Sequence, residues 1–584
     1  MTKRVLQISR RSFLRVGAGA LALGGVTLLA ACAPNTPAPQ GTSAPAAPPP
    51  QPAPTSAPAT VAPAAARPAS SAVQLPSHVP LAGIKPDVPA SDDGLLDAGF
   101  VNYPANPLKT VQDTPGSGSE ITAVTWTTGA PPTPMESNQL WQAVNQALGV
   151  TLKISIQAQA DYATVKLPTV VAGDDLPDIL YIAPNTVIPE YPTFLKSKMA
   201  DLTPYLSGDA VKDYPNLANI PTIAWRQMVL NNTIYGIPCA NSLFLWVHWM
   251  HQDLLDADGL KPPRNADEYK QLAVHFTRPD QNLYGLGAES SVGMGMTNGW
   301  MTGIFGAPNG WVLDKNTGKL TYTLETDQYR AAVAYARDLW AAGAYTPNAL
   351  QYNLVSARND MAAQRFAFRM DAFAVASDLF WAAAARRDPP GNPRIVPPFP
   401  AMDGGTPTYW PTSGILGYSV IKQAPPERLK EILRVLNWLA APLGTQEYLL
   451  KTYGLKDVHW TPDDNGNPIL TDRGKADATV PFHYLTRAPN VLYWPQTPQK
   501  TPYMHDVQTA IYPYLSLNAT DAYYSPTNAS KSPALNTALN DKLNDIVVGR
   551  QPLEAFDQAV KDWQTGGGNQ MRQEFEQAIA AAQS

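Results

Sequence analysis

Ile121-Thr122-Ala123-Val124-Thr125-Trp126 is an apolar, β-branched run of strand length, and Gly173-Asp174-Asp175-Leu176-Pro177-Asp178-Ile179-Leu180-Tyr181-Ile182 is a turn that feeds a second one. Between them the apolar spacing from Gln139 to Leu148 predicts a helix, Val150 to Ile156 a strand, and the stretch from about Tyr162 to Gly173 a further helix. Strand and helix alternating at this pace is the pattern of an α/β layered domain with parallel strands. The three carboxylates before Ile179 could do acid/base work, but Asp beside Gly and Pro is what a helix-to-strand turn needs for its own backbone hydrogen bonds, and the turn reading is preferred.

Working outward, Met199-Ala200-Asp201-Leu202-Thr203-Pro204-Tyr205-Leu206, Asn232-Thr233-Ile234-Tyr235-Gly236-Ile237-Pro238 and the segment Trp249 to Gly259 follow in order. Asn265-Ala266-Asp267-Glu268 supplies a capping box for the helix that follows. Gly310-Trp311, Gly318-Lys319-Leu320, the helix through Tyr329 and Trp340, and Thr412-Ser413-Gly414-Ile415-Leu416-Gly417-Tyr418-Ser419-Val420 come next. Tyr453-Gly454-Leu455, Val458-His459-Trp460 and Asn465-Gly466-Asn467-Pro468 close the series. In this order, over roughly residues 119–580, the chain resembles the family 1 extracellular solute-binding proteins of ABC importers, in the branch of lipoprotein oligosaccharide binders related to maltose-binding protein. The resemblance implies a two-lobed periplasmic-binding-protein fold of type II, with residues 119–237 and about 403–445 in the N-terminal lobe. Residues 238–402 and about 446–584 would form the C-terminal lobe, with crossings near Ile237 to Ser242, Pro397 to Pro407, and Pro442. It departs from the family at His251, where many members carry arginine, and residues 81–119 have no counterpart.

The N-terminus is an address rather than structure. Ser9-Arg10-Arg11-Ser12-Phe13-Leu14-Arg15 is a twin-arginine export motif before an apolar run, Val16 to Ala31, too short to span a bilayer. Leu29-Ala30-Ala31-Cys32 resembles a lipobox, so residues 1–31 are read as a signal peptide and Cys32 as the lipidated first mature residue, held at the outer membrane surface by its acyl chains. From Ala33 to about Pro89 the composition is Pro, Ala, Ser and Thr, which cannot bury enough surface to order itself; residues 32–118 are read as acylated cysteine and tether.

With 584 residues and a formal net charge of -5, the chain has room for two lobes and gives no reason to expect nucleic acid. It has 2 cysteines, so beyond Cys32 only Cys239 remains, and a disulfide framework is excluded. A carbohydrate site wants aromatic platforms and a few placed polar groups. Trp340 and Trp563 fall on apolar helix faces and read as core. Trp381, beside Asp378 at an expected helix start after a strand Phe368 to Val375, matches the family's sugar-stacking segment. Trp410 precedes the returning strand, and Trp126 and Trp300 lie at strand-end and loop positions. Asn185, Asn298 and Asp378 are the polar candidates.

An enzyme would leave a signature. His248 and His251 lack a third ligand and lie in a strand, no Gly-x-Ser-x-Gly occurs, and there is no phosphate loop or dinucleotide fingerprint. The expectation is a monomeric binder without cofactor or metal that delivers an oligosaccharide to an ABC permease and ATPase. A two-carboxylate surface glycan hydrolase, a binder of peptides or another solute, and an adhesive surface protein stay as alternatives.

Overall fold

The computed structural model describes residues 73–583, apart from residues 174, 184–185, 187 and 289–298. Residues 73–118 are not tether. They lie against the folded body, with Asp97, Phe100 and Tyr103 buried and a strand β1 (Ala98–Phe100) in the middle. The Pro-, Ala-, Ser- and Thr-rich composition ends near Pro89, and beyond it Leu95, Leu96, Phe100 and Tyr103 bring the large apolar side chains that the proline-rich part lacks.

The first lobe is built as the alternation predicts. Strand β2 (Glu120–Thr127) is followed by helix α1 (Gln139–Leu148), strand β3 (Thr151–Ala158) and, after further helical turns, strand β4 (Ile179–Ile182). Asn138 caps α1 by accepting from the Trp141 N–H, and Gly149 ends it in the left-handed region at φ 64°. Its buried stripe, Leu140, Trp141, Val144 and Leu148, covers one sheet face. The Asp178 carboxylate accepts from the Thr122 N–H and hydroxyl and pairs with Arg428 at 3.1 Å, so this turn acid ties β2, β4 and a helix together. Strand β5 (Gly236–Ala240) takes the far edge.

The chain crosses at 241–245 into the second lobe, which contains strand β6 (Trp246–His251), helix α2 (Ala266–His275), strand β7 (Tyr284–Gly287), helix α3 (Asp327–Ala341), strand β8 (Phe366–Ala372), helix α4 (Phe373–Ala385) and strand β9 (Pro393–Ile395). The sheet order is β9-β6-β8-β7. Side chains of β6 alternate between two cores: His248 stacks with Trp300 and Phe368, while Trp249 meets Phe380 of α4. β8 ends at Ala372, earlier than expected, so Asp378 and Trp381 lie inside α4 and not at its start.

The return strand β10 (Ile415–Ile421) inserts antiparallel between β4 and β5, giving the first lobe the order β3-β2-β4-β10-β5. Helix α5 (Pro426–Leu439) then packs Ile432, Leu433, Val435 and Leu436, all fully buried, on that sheet; each such side chain contributes about 2 kcal/mol.

The third crossing is not at Pro442. Residues 446–485 stay with the first lobe, because Val480, Phe482 and Leu485 share a core with Ile121 and Leu433, and Pro442 forms the turn in which its carbonyl accepts from the Thr445 hydroxyl. After strand β11 (Val491–Tyr493), which pairs in parallel with β1, helix α6 (Lys500–Ile511) packs Met504 and Ile511 beside Trp249 in the second lobe. Helices α7 (Pro526–Val547), α8 (Ala555–Trp563) and α9 (Asn569–Gln583) complete that lobe. Trp563 is buried there and Trp340 half-buried, both as packing. Among the described residues no helix is long and apolar enough to cross a membrane.

Candidate functional site

Three chain crossings leave a boundary between the lobes, and aromatic side chains stand on both sides of it. On the first lobe, Trp126 lies next to last in β2, its ring 5.7 Å from Tyr162, 5.4 Å from Tyr181 and 5.6 Å from Tyr484. The cluster is fixed from behind: the Tyr162 hydroxyl donates to the Tyr181 carbonyl and the Tyr181 hydroxyl to the Leu416 carbonyl at 2.6 Å. The Trp126 Nε1–H is covered and has no hydrogen-bond partner. Beneath it Cys239 is fully buried, and burial pushes its thiol well above the ordinary range, so it is a packing residue and not a nucleophile.

On the second lobe Trp300 opens a short helical turn (Trp300–Ile304) and stacks on His248, with ring centroids 3.6 Å apart. The Trp410 Nε1–H donates to the Ala307 carbonyl at 2.8 Å. Gly299 joins the two tryptophans: at φ 78° its backbone favours glycine, and a Cβ there would sit 2.4 Å from the Trp410 indole. Burial, with Arg369 nearby, holds the His248 pKa well below its usual value, so the ring is a neutral platform bonded to the Tyr269 hydroxyl at 2.8 Å. The recess that Trp300 and Trp410 line holds only about 60 Å³, so they offer edges of a wall and not a closed pocket.

Two contacts bridge the lobes. Tyr191, whose hydroxyl is bonded to that of Tyr418, lies 6.1 Å from Tyr524. Asp521, bonded to the Asn518 amide at 2.8 Å, feels Arg226 of the first lobe; burial raises its pKa to about 6 against the opposing pull of Asn518 and Arg226. None of these four was singled out in the sequence; the Tyr523-Tyr524 pair just before the helix-opening Pro526 was the one visible signal.

Of the expected site residues, Trp300 and Trp410 are brought together, with Trp126 on the opposite lobe. Trp381 and Asp378 go elsewhere, to the other face of the second sheet, where Asp378 pairs with Lys500 at 2.6 Å. Asn185 and Asn298, like Arg10, Arg11 and Cys32, lie outside the described residues. His251 is buried at the far end of β6, opposite Pro393, with Nε2 2.9 Å from the Met361 carbonyl; it belongs to the second lobe's interior and not to the hinge. Its neighbour Asp253 is held well below the usual carboxylate range: burial opposes ionisation, but the His251 ring 3.8 Å away and hydrogen bonds from the Asn392 N–H and Gln364 outweigh it. Among the described residues no group of three or more His, Cys, Asp or Glu is placed to hold a metal ion.

Known proteins share this fold. A solute-binding protein of Bifidobacterium longum infantis, described as HMO binding and associated with an ABC transporter, superposes with a TM-score of 0.61, covering 80% of this chain and 100% of its own at 12% identity. The chain has the two-lobed fold of ABC solute-binding proteins. In sequence, the chain is 22% identical to lipoprotein LipO of Bacillus subtilis over 76% of this chain and 89% of LipO. The polygalacturonan/rhamnogalacturonan-binding protein YtcQ of Bacillus subtilis is 23% identical over 64% of this chain and 76% of its own. No protein-family model matches the chain.

Proposed function

We propose that this protein captures an oligosaccharide between its lobes and presents it to the permease and ATPase of an ABC importer, held outside the cell by an acylated Cys32 after export through the Arg10-Arg11 motif. What supports the reading is an aromatic cluster on each lobe of a chain that crosses between them three times: Trp126 with its tyrosines on one, Trp300 and Trp410 on the other. Indole faces match the apolar faces of pyranose rings, and two lobes joined by flexible crossings form a two-state element that a bridging ligand biases toward closure. Tyr524 against Tyr191 and Asp521 facing Arg226 already join the lobes and would help hold them over a sugar.

The relatives support a saccharide over a peptide, since two of them are named for glycan binding, and support a binder over an enzyme. We therefore take the chain to be a monomeric binder that needs no cofactor. The test is thermal unfolding of the protein against neutral and acidic oligosaccharides, monosaccharides and short peptides. A ligand at about a thousand times its Kd stabilises the fold by about 4 kcal/mol. The expected result is a shift with an oligosaccharide recovered intact, lost in Trp126→Ala and Trp410→Ala. Cleaved glycan would establish a hydrolase instead, and a shift with peptides alone would end the carbohydrate reading.

A further inference from the structure

The concavity that takes Trp381 and Asp378 away from the lobe boundary is a site in its own right. It measures about 650 Å³, within the range of small-ligand pockets, and is walled by Trp381, Trp494, Arg394, Lys500, Asp378 and Gly391. Its position follows from register: Ala372 of β8 pairs with Trp246 at the crossing end of β6, whereas Arg394 of β9 pairs with Met250, four residues and about 13 Å further along. Trp381 belongs to the core under Trp249, on the sheet face opposite the His248–Trp300 stack.

The chemistry of the walls is cationic and aromatic together. The Arg394 guanidinium carbon lies 5.3 Å from the Trp381 ring centre and 4.8 Å from that of Tyr503. Tyr503 is itself fixed, its hydroxyl accepting from the Ile395 N–H at 2.8 Å. The side-chain hydrogen bond recorded for Arg394, to the Pro393 carbonyl, is long at 3.5 Å. Lys500 is 2% exposed, its ammonium 5.1 Å from Trp381 and 5.8 Å from Trp494, and it donates to Asp378, whose own side chain is 63% exposed. Behind Gly391 lies a third cation: a Cβ on that glycine would stand 2.0 Å from Arg387 Nη2, and all three guanidinium nitrogens of Arg387 are covered without a hydrogen-bond partner. The Trp381 Nε1–H is covered and unpaired as well.

Of these three cations Lys500 pairs with Asp378, an outward-facing carboxylate, whereas Arg394 and Arg387 have no ion pair to a carboxylate among the described residues. Buried cationic donors are costly unless an anion meets them, and a planar guanidinium held on two aromatic faces is pre-organised for bidentate binding of a carboxylate. Indoles on the same wall offer an apolar platform for a sugar ring. We propose that this concavity is a second binding site, separate from the lobe boundary, for a carboxylated sugar residue of the hexuronate class. Its ring lies against Trp494 and Trp381 and its carboxylate on Arg394. A glycan chain carrying such residues is then gripped on the outer face of the second lobe independently of closure.

The experiment uses Trp410→Ala protein, in which the wall at the lobe boundary is broken, and calorimetric titration with digalacturonate, its dimethyl ester and maltose. Digalacturonate is expected to bind, with the ester and maltose at least tenfold weaker. Adding Arg394→Gln or, separately, Trp494→Leu lowers affinity at least tenfold without moving the melting temperature of the unliganded protein. Equal binding of the ester, displacement by an equal concentration of inorganic phosphate, or full affinity in both added variants would overturn the site. Digalacturonate binding present in the unmutated protein and absent in Trp410→Ala would also overturn it, while leaving the lobe-boundary reading intact.

Discussion

Replacing Asp97 by alanine tests whether residues 73–118 are part of the machine. The carboxylate is buried, and a single oxygen accepts from the Ser242 hydroxyl at 2.6 Å, the Gln508 amide at 2.7 Å and the Asn490 amide at 2.9 Å. Those donors sit on the first crossing, on α6 and on the third crossing, so one side chain ties the N-terminal segment to the hinge. In Asp97→Ala the backbone bond from Asp97 N–H to Gln508 survives, Ser242 can rotate its hydroxyl, and two amide donors are left unmet. At 1–3 kcal/mol per orphaned group the loss is about 2–6 kcal/mol, reduced by relief of the carboxylate's own desolvation, so about 2–4 kcal/mol net. Asp97→Asn keeps an acceptor and should stay within about 1 kcal/mol of the parent. Burial raises the Asp97 pKa above the ordinary carboxylate value, with hydrogen bonds from Ser242, Gln508 and Asn490 and the charge of Arg487 opposing it. Its contribution to stability is therefore full below about pH 4 and lost as pH rises through the native pKa, a dependence absent from the asparagine variant. Urea unfolding at two pH values, with hydrogen exchange on residues 98–103, reads all three quantities. If alanine and asparagine prove equal, or the exchange of β1 is unchanged in alanine, the carboxylate does not hold the segment and the reasoning fails.

Other outcomes follow from the same geometry. With a native pKa of about 6, Asp521 destabilises the fold as pH rises from about 4 through 6; Asp521→Asn should therefore gain stability relative to the parent over that interval, by about 3 kcal/mol at most, and melting curves at pH 4 and pH 7 decide it. Gly299→Ala combines left-handed strain with a collision against Trp410 and should cost about 2–4 kcal/mol in urea unfolding; a cost below 1 kcal/mol would mean that the tryptophan wall yields freely. Cys239, fully buried, should react with a thiol reagent only at the rate of unfolding, and rapid labelling of the native protein would contradict its place under Trp126. Tyr524→Ala should weaken oligosaccharide binding several-fold while leaving the unliganded melting temperature nearly unchanged, since the ring meets Tyr191 across the boundary.

What the sequence made legible was local. Ile121 to Trp126, Gln139 to Leu148 and Ile179 to Ile182 each announce their element through a period and a stop signal, and the structure places β2, α1 and β4 there. Thr412 to Val420 was legible as a strand, and its position between β4 and β5 follows the resemblance and no period. The failures share a cause. Residues 73–118 look like tether because proline hides a few decisive apolar side chains, whose partners lie hundreds of residues away. Pro442 looks like a crossing because loops collect proline. Trp381 looks like a boundary residue because a strand was extended three residues too far, to Val375. Tyr191 and Tyr524 become neighbours only through the third dimension, and no local pattern carries that.

The bond from Asp97 to Gln508 spans 411 residues. At synthesis rates of 5–20 residues per second, Asp97 leaves the ribosome on the order of 20–80 s before its partner exists. Through that interval the first lobe can assemble β2, β3 and β4, but β1 has to wait for β11 before it can pair. Closing so long a loop is also slow for a free chain. Docking of β1 and Asp97 therefore waits for β11 and α6, made hundreds of residues later. Chains truncated before residue 488 lack β11 and α6 and should carry residues 88–99 in a form open to proteases.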